Sequence, residues 1–120
     1  MSTGTHHGGC HCGAVRYHVE LDPGAKAIVC NCSMCGRSGA VLQFVPRDKF
    51  TLERGEDNLT DYKFNKHVIH HVFCKTCGIK SFAYGKGQTG EMVAINLRCL
   101  DDIDVFKAVS EATQVDGKSR

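Results

Sequence analysis

Seven of the eight cysteines fall into three closely spaced groups, and this spacing constrains the fold more than any other feature of the sequence. In chain order the groups are Cys10 and Cys12; Cys30, Cys32 and Cys35; and Cys74 and Cys77. Disulfides do not persist in reducing compartments, where clustered thiols usually hold a metal. A chain of 120 residues without tryptophan forms only a modest core, so a bound metal would add useful stability.

The sequence Cys74-x-x-Cys77-Gly78 is compatible with half a metal site, a redox dithiol or half of a disulfide framework. A thioredoxin-like dithiol needs a βαβ context, whereas this chain is patterned as short strands and turns. A disulfide framework suits a secreted protein, but residues 1–9 lack the basic start and apolar stretch of a signal peptide. We therefore predict a metal half-site in a cytoplasmic protein.

The partner of this half-site is predicted at the beginning of the chain. A closed tetrahedral four-cysteine site needs two cysteine pairs. The two simple pairs are Cys10 with Cys12 and Cys74 with Cys77, and each lies next to a glycine that permits a tight turn. We predict a structural zinc on these four residues.

The remaining group, Cys30, Cys32 and Cys35, supplies three thiols within six residues. Three protein ligands with the fourth position open are typical of catalytic zinc, where the open position takes a water or a thiolate. The alternative is a second structural site closed by Cys99 or a histidine. Cys99 continues the apolar register of residues 93–97, which favours a small core residue instead.

The hydrophobic pattern predicts a mainly β fold in a single domain over 1–120, with a flexible segment at 1–7. In residues 14–21, apolar and polar side chains alternate as in a half-buried strand. Only 101–111 is patterned as a helix, with Asp101 or Asp102 as its N-cap. The other predicted strands are 27–30, 40–46, 50–55, 61–67, 67–74, 81–85 and 91–100.

The cysteine motifs and their surroundings resemble a known family. From about Gly8 to residue 117, the chain is similar to the glutathione-dependent formaldehyde-activating enzymes (the centromere protein V/GFA domain) in the segments "GGCHCGAVRY", "CNCSMCGRSGA", "FCKTCGIKSF" and "NLRCLDD". Residues 62–82 resemble the centromere protein V branch in particular. The resemblance implies an Mss4-like fold of several small, coiled antiparallel sheets stapled by zinc. It also implies two zinc sites with the same grouping of cysteines.

The resemblance further implies a carbon–sulfur lyase similar to S-(hydroxymethyl)glutathione synthase. Glutathione would be the thiol co-substrate and formaldehyde or a related small aldehyde the acceptor, at the zinc of Cys30, Cys32 and Cys35. Arg37 follows this group directly and is a candidate to bind a glutathione carboxylate. His71 precedes the third group and is a candidate to line the pocket or to hydrogen-bond a zinc thiolate.

Composition weighs against two other classes of partner. The formal charge is +2 with acids and bases interspersed, and seven thiolates with two Zn²⁺ would bring it to 2 − 7 + 4 = −1. This is not the basic footprint of a nucleic-acid-binding protein. There is no apolar run of 18 residues, so we predict no membrane span. The partners predicted are a small-molecule thiol and an aldehyde; the rival hypothesis is a scaffold domain with two structural zincs and a protein ligand.

Overall fold

The computed structural model describes residues 4–22, 27–63, 69–87 and 90–116. Three single 3₁₀ turns, at Arg47–Lys49, Glu56–Asn58 and Leu97–Cys99, interrupt the regular elements in these ranges. The strands and helices are β1 (Gly4–Gly9), β2 (Arg16–Leu21), β3 (Ile28–Cys30), α1 (Ser33–Ser38), β4 (Leu42–Pro46), β5 (Phe50–Arg54), β6 (Leu59–Tyr62), β7 (His70–Cys74), β8 (Phe82–Gly87), β9 (Gly90–Asn96), α2 (Val105–Glu111) and β10 (Thr113–Val115).

These strands form two sheets. The small sheet has the order β1-β2-β5, and the large sheet has the order β10-β3-β4-β9-β8-β7-β6. Within the described ranges every strand pair is antiparallel except β3 with β10, which is parallel. The predicted mainly β, Mss4-like fold class is confirmed. No helix in the described part of the chain is long and apolar enough to cross a bilayer.

Three aromatic rings join the two sheets. The ring of Tyr17 on β2 lies 5.1 Å from that of Phe50 on β5, and Phe50 lies 4.7 Å from Phe82 on β8. The Tyr17 hydroxyl donates to the backbone carbonyl of Ser81 at 3.3 Å. Because side chains alternate between faces along a strand, the alternate apolar residues of this segment face the core as predicted: Val15, Tyr17 and Val19 are fully buried, and Leu21 is 5% exposed.

The turn before β6 depends on a glycine. Gly55 has a φ of 95°, and a Cβ there would lie 2.4 Å from the carbonyl oxygen of Ala14. We expect Gly55→Ala to lower the free energy of unfolding by about 3 kcal/mol, because the left-handed backbone and the backbone clash both oppose a side chain. Urea denaturation measures this loss.

The matched control is Gly39→Ala. Gly39 also has a positive φ of 69°, but a Cβ there would meet nothing within 4 Å. Only the backbone strain should remain, about 1 kcal/mol. Equal losses in the two variants would contradict a steric role for Gly55.

The described part of the segment that was predicted to be flexible forms a strand. Residues 4–7 are the first four residues of β1 and pair along β2, and His6 Nδ1 lies 3.1 Å from the Asp102 carboxylate. The backbone N–H of Asp101 also donates to the carbonyl of His7 at 2.9 Å. The sequence of β1 has no apolar alternation, so its strand character comes from pairing and these long-range contacts.

The predicted helix over 101–111 is shorter, and its cap differs. Asp104 is the N-cap of α2 and accepts from the backbone N–H of Lys107 at 3.2 Å. Asp101 is instead paired with Arg16, whose Nη1 donates to Oδ1 at 3.1 Å. The carboxylates of Asp101 and Asp102 are thus held by other elements, and the helix begins at Val105.

Besides β1, two further short elements were not predicted, and one residue lies in a different element from the one expected. Helix α1 buries no residue, and β10 has two exposed residues out of three, so neither has an apolar pattern. Cys99 belongs to the 3₁₀ turn after β9 rather than to the strand face, and it is half-buried. The predicted strand over 61–67 begins earlier, with β6, and residues 64–68, including His67, lie outside the described residues.

Candidate metal centres and active site

The first and third cysteine groups meet in a four-sulfur cluster. Every Sγ lies within 4.8 Å of the others, and the members are Cys10, Cys12, Cys74 and Cys77. The Sγ of Cys12 is 3.7 Å from the Sγ of Cys10 and 3.7 Å from that of Cys74. A tetrahedral zinc with Zn–S bonds of about 2.3 Å separates its sulfurs by roughly 3.8 Å. The cluster therefore has the donors and spacing of a closed site, and it could hold zinc.

Hydrogen bonds to Cys74 favour its thiolate. The backbone N–H groups of Cys77 and Thr76 donate to its Sγ at 3.5 and 3.4 Å, and Asn58 Nδ2 donates at 3.3 Å. The Cys77 N–H, followed by the Thr76 N–H and the side chains of Cys12 and Cys10, lowers the pKa of Cys74 to about 6, although burial opposes this change. Since metal ligands must be deprotonated, these backbone hydrogen bonds favour the form of Cys74 that binds a cation.

The four-cysteine cluster ties the two sheets together. Cys10 and Cys12 lie in the connection between β1 and β2 of the small sheet. Cys74 ends β7 of the large sheet, and Cys77 lies in the turn that follows it. Gly78 closes this turn with a φ of 78° and donates its N–H to the carbonyl of Cys74 at 2.9 Å. A metal held here would crosslink segments more than 60 residues apart in sequence.

The second cysteine group surrounds the start of helix α1. Cys30 ends β3, Cys32 is the N-cap, and Cys35 lies in the first turns, with the three Sγ atoms within 4.8 Å of one another. The Cys32 Sγ accepts from the backbone N–H of Cys35 at 3.3 Å. Burial opposes ionisation of Cys32, but this N–H and other local donors hold its pKa below the usual value. Burial raises the pKa of Cys35 to about 12 when no cation is bound.

This second group has three members in the described part of the chain, because no fourth Cys, His, Asp or Glu donor joins it within the same distance. Cys99, considered above as a closing ligand, lies elsewhere. Its Sγ is 3.9 Å from the carbonyl oxygen of Lys80. Burial, followed by the charges of Cys10 and Cys77, raises the pKa of Cys99 to about 11. The second group could hold zinc with one coordination position left for another ligand.

Lys80 is a residue of this site that the sequence reasoning missed. It is half-buried, and burial lowers its pKa, while the thiolates of Cys35 and Cys32 oppose that change. Its positive charge also acts on His71. Lys80 is the third residue after Cys77, and its proximity to residues 30–35 follows from the fold rather than from spacing. The one signal in the sequence was a lysine two residues before Phe82, the apolar residue at which β8 begins.

The two predicted substrate residues have different surroundings. His71 lies on β7 directly opposite Ala83 of β8, and burial followed by the charge of Lys80 lowers its pKa to about 4. It is therefore neutral at pH 7. Arg37 is exposed on α1, and its Nη1 donates to the carbonyl of Ser33 at 3.1 Å. The fold thus places His71 where the charge of Lys80 acts on it, whereas Arg37 is exposed to solvent on the helix.

Comparisons with known proteins agree with this architecture. A family model described as "Glutathione-dependent formaldehyde-activating enzyme" matches residues 5–115, which include all three cysteine groups. A protein from Rhodobacter sphaeroides, known from a crystal structure, has a similar fold with a TM-score of 0.80. The two sequences are 33% identical, and the match covers 91% of this chain and 99% of that one.

Proposed function

The chain belongs to the glutathione-dependent formaldehyde-activating enzyme family, and from this premise we propose that it is a zinc-dependent carbon–sulfur lyase. In the synthetic direction the sulfur of glutathione adds to the carbonyl carbon of a small aldehyde. The C–S bond forms as the C=O π electrons move to oxygen, which then takes a proton. The product is a hemithioacetal such as S-(hydroxymethyl)glutathione.

The observation that supports this proposal most strongly is the difference between the two cysteine clusters. One has four sulfurs at tetrahedral spacing, whereas the other has three sulfurs and no fourth donor of the ligand types among the described residues. Cys30, Cys32 and Cys35 would hold the second zinc. When bound, this zinc supplies a Lewis-acid position at which a thiol is kept deprotonated.

Three nearby side chains have roles in the proposal. The cysteine thiolates and an incoming thiolate carry more negative charge than one Zn²⁺ offsets, and Lys80 supplies positive charge close to Cys32 and Cys35. His71, neutral at pH 7, donates a hydrogen bond to the aldehyde oxygen without adding a second cation beside Lys80. Arg37 is exposed, and its N–H groups other than the one that donates to Ser33 bind a glutathione carboxylate at the rim.

The proposal is tested with ¹³C-formaldehyde, glutathione and the zinc-loaded protein. Exchange NMR reports how fast label moves between free formaldehyde and S-(hydroxymethyl)glutathione, and we expect the protein to accelerate this exchange. Calorimetry measures glutathione binding to the same sample. If millimolar glutathione gives neither binding nor faster exchange with both clusters loaded, glutathione is not the thiol, and a scaffold role with two structural zincs is favoured.

Removing the positive charges should weaken thiol binding. A charge-assisted hydrogen bond contributes roughly 1.5–3 kcal/mol, so we expect Arg37→Ala to weaken glutathione binding by about ten- to a hundredfold. Lys80→Met keeps the apolar stem but removes the charge, and we expect a loss of similar size. Calorimetric titration measures both effects, and metal analysis should show the same metal content as the wild type.

The control is Arg47→Ala. The guanidinium of Arg47 lies over the ring of Phe50 and donates to its backbone carbonyl, in another part of the fold. Its removal should leave glutathione binding unchanged. Unchanged binding in Arg37→Ala would remove this arginine from the site, and unchanged binding in Lys80→Met would remove the lysine, without affecting the proposed role of the cysteines.

A further inference from the structure

The outer face of the large sheet has a small apolar cavity. Its volume is about 170 Å³, and we name it the apolar shelf after its main lining residues, Phe44, Ile69, Ala83, Tyr84, Met92 and Ala94. The two alanines are buried and form its floor, whereas two large side chains beside it are partly exposed: Phe44 is 49% and Ile69 43% exposed. Clustered large apolar side chains at a surface usually mark a binding site.

The apolar shelf is continuous with the three-cysteine group. Ala83 and Ala94 belong to a buried cluster with Ala40 and Leu42, and Cys35 packs against this cluster. Ala94 pairs with Phe44 on one neighbouring strand and with Ala83 on the other, so these side chains share one face. The same two alanines thus belong to the buried cluster against which Cys35 packs, and they also line the cavity.

The strand register also determines how far, and in which direction, a substituent could extend along the apolar shelf from the cysteines. Met92 is two residues before Ala94 on β9, so it lies on the same face about 7 Å further along the strand. His71 pairs with Ala83 on the neighbouring strand β7, so it lies at the edge of this floor that is further from Phe44. A ligand with its reacting carbon near the cysteine sulfurs could therefore extend a substituent of a few carbon atoms across the alanines toward Met92.

We propose that the apolar shelf receives the apolar substituent of the carbonyl substrate, which makes aromatic or branched aliphatic aldehydes better substrates than formaldehyde. This inference rests on the proposed function. An apolar cavity of about 150 Å³ accommodates benzene, so the shelf matches a phenyl ring or a branched chain of similar size. Formaldehyde has only hydrogen on its carbonyl carbon, so it has no substituent to cover the apolar shelf, which would stay exposed to water.

The chemical step is the same addition and needs no oxidant or reductant. The thiolate sulfur bonds to the carbon of R–CHO, the C=O π pair moves to oxygen, and the oxygen takes a proton. Only R differs, and it gains affinity by removing apolar surface from water. A second copy of the chain fits the shelf less well, because a few partly exposed side chains are far from the roughly 800 Å² per partner of a standard interface.

The test compares two stable analogues of the product, S-benzylglutathione and S-methylglutathione, by calorimetry on the zinc-loaded protein. We expect the benzyl compound to bind at least about tenfold more tightly, since its ring removes additional apolar surface from water. Phe44→Ala opens one wall and Ala94→Leu fills the floor, and both should remove most of this preference. Phe106→Ala is the matched control, because Phe106 is 84% exposed on α2 and does not line the shelf.

A second measurement separates failure of the apolar shelf from failure of the proposed function. Benzaldehyde alone should shift the backbone amide NMR signals of Ala83 and Ala94 in the wild type but not in Ala94→Leu. If neither conjugate binds but these shifts occur, the shelf stands and glutathione is rejected as the thiol. Equal binding of the two conjugates, or absent shifts, would overturn the shelf. A dimer in sedimentation that Phe44→Ala dissociates would also overturn it, in favour of an interface between copies.

Discussion

Cys77→Ser is expected to unfold the protein or to make it aggregate. Serine is a poor zinc ligand, and the variant would leave three sulfurs at a site whose geometry fits four. Apparent binding free energies of structural zinc sites reach about 10–16 kcal/mol, whereas whole domains are stable by only about 5–15 kcal/mol. Loss of this crosslink is therefore enough to remove the native state. Circular dichroism during heating, with metal analysis of the soluble fraction, measures the effect.

Cys99→Ser is the matched control for this variant. Cys99 is half-buried and belongs to neither cluster, so the same change of sulfur to oxygen should cost about 1 kcal/mol and no metal. The four-cysteine assignment predicts a wide gap in melting temperature between Cys77→Ser and Cys99→Ser. Cys77→Ser protein that is soluble and melts like the wild type would contradict the assignment.

The pairing of cysteines could be inferred from the sequence because tetrahedral coordination limits the choices. Two pairs with short spacing, each beside a glycine, leave one simple way to build a closed four-sulfur site, and the structure brings the same four residues together. The three remaining clustered cysteines lie within six consecutive residues, from the end of β3 to the first turn of α1. Their proximity is a local property of the chain, so it also could be read from spacing.

The surroundings of the second cluster could not be inferred in this way. Lys80 acts on Cys32 and Cys35 from more than 40 residues away in sequence. The apolar shelf combines β4, β8 and β9 in a register that no single strand determines. Ala83 and Ala94 look like ordinary strand residues in the sequence, and only the structure shows that both belong to the buried cluster against which Cys35 packs.

The elements that were not predicted from the sequence share one physical property: none has apolar side chains at the regular spacing of a buried face. Helix α1 buries nothing, β1 has the sequence Gly-Thr-His-His-Gly-Gly, and β10 is mostly exposed. Hydrophobic periodicity reports burial on one face, so it cannot detect elements that are held by pairing or capping. The strand over residues 14–21 was predicted because its alternate side chains form the core.

The different surroundings of the two clusters give them different consequences when a ligand is lost. Cys74 is 1% exposed and lies at the junction of the sheets. Cys30, Cys32 and Cys35 are all partly exposed, and α1 contributes no buried residue. Loss of the second metal should therefore leave the core and the sheet pairing intact.

Cys32→Ser is accordingly expected to fold normally while it loses one equivalent of metal and the thiol-dependent activity. The Cys32 side chain caps α1 by accepting the Cys35 N–H at 3.3 Å, and serine is among the preferred N-cap residues. The substitution therefore keeps the helix cap and removes a zinc ligand. We expect a change in stability of about 1 kcal/mol or less, measured by thermal unfolding.

Metal analysis and exchange NMR on the same Cys32→Ser sample complete the measurement. The metal content should fall by one equivalent relative to the wild type, and the exchange of label between formaldehyde and S-(hydroxymethyl)glutathione should return to the uncatalysed rate. If Cys32→Ser instead unfolds as readily as Cys77→Ser, both clusters stabilise the fold and the proposed enzyme loses its main support. If Cys32→Ser keeps its metal and its activity, the reacting position lies elsewhere. A zinc site built on three thiolates should change in metal content and in activity when one of the thiolates is removed.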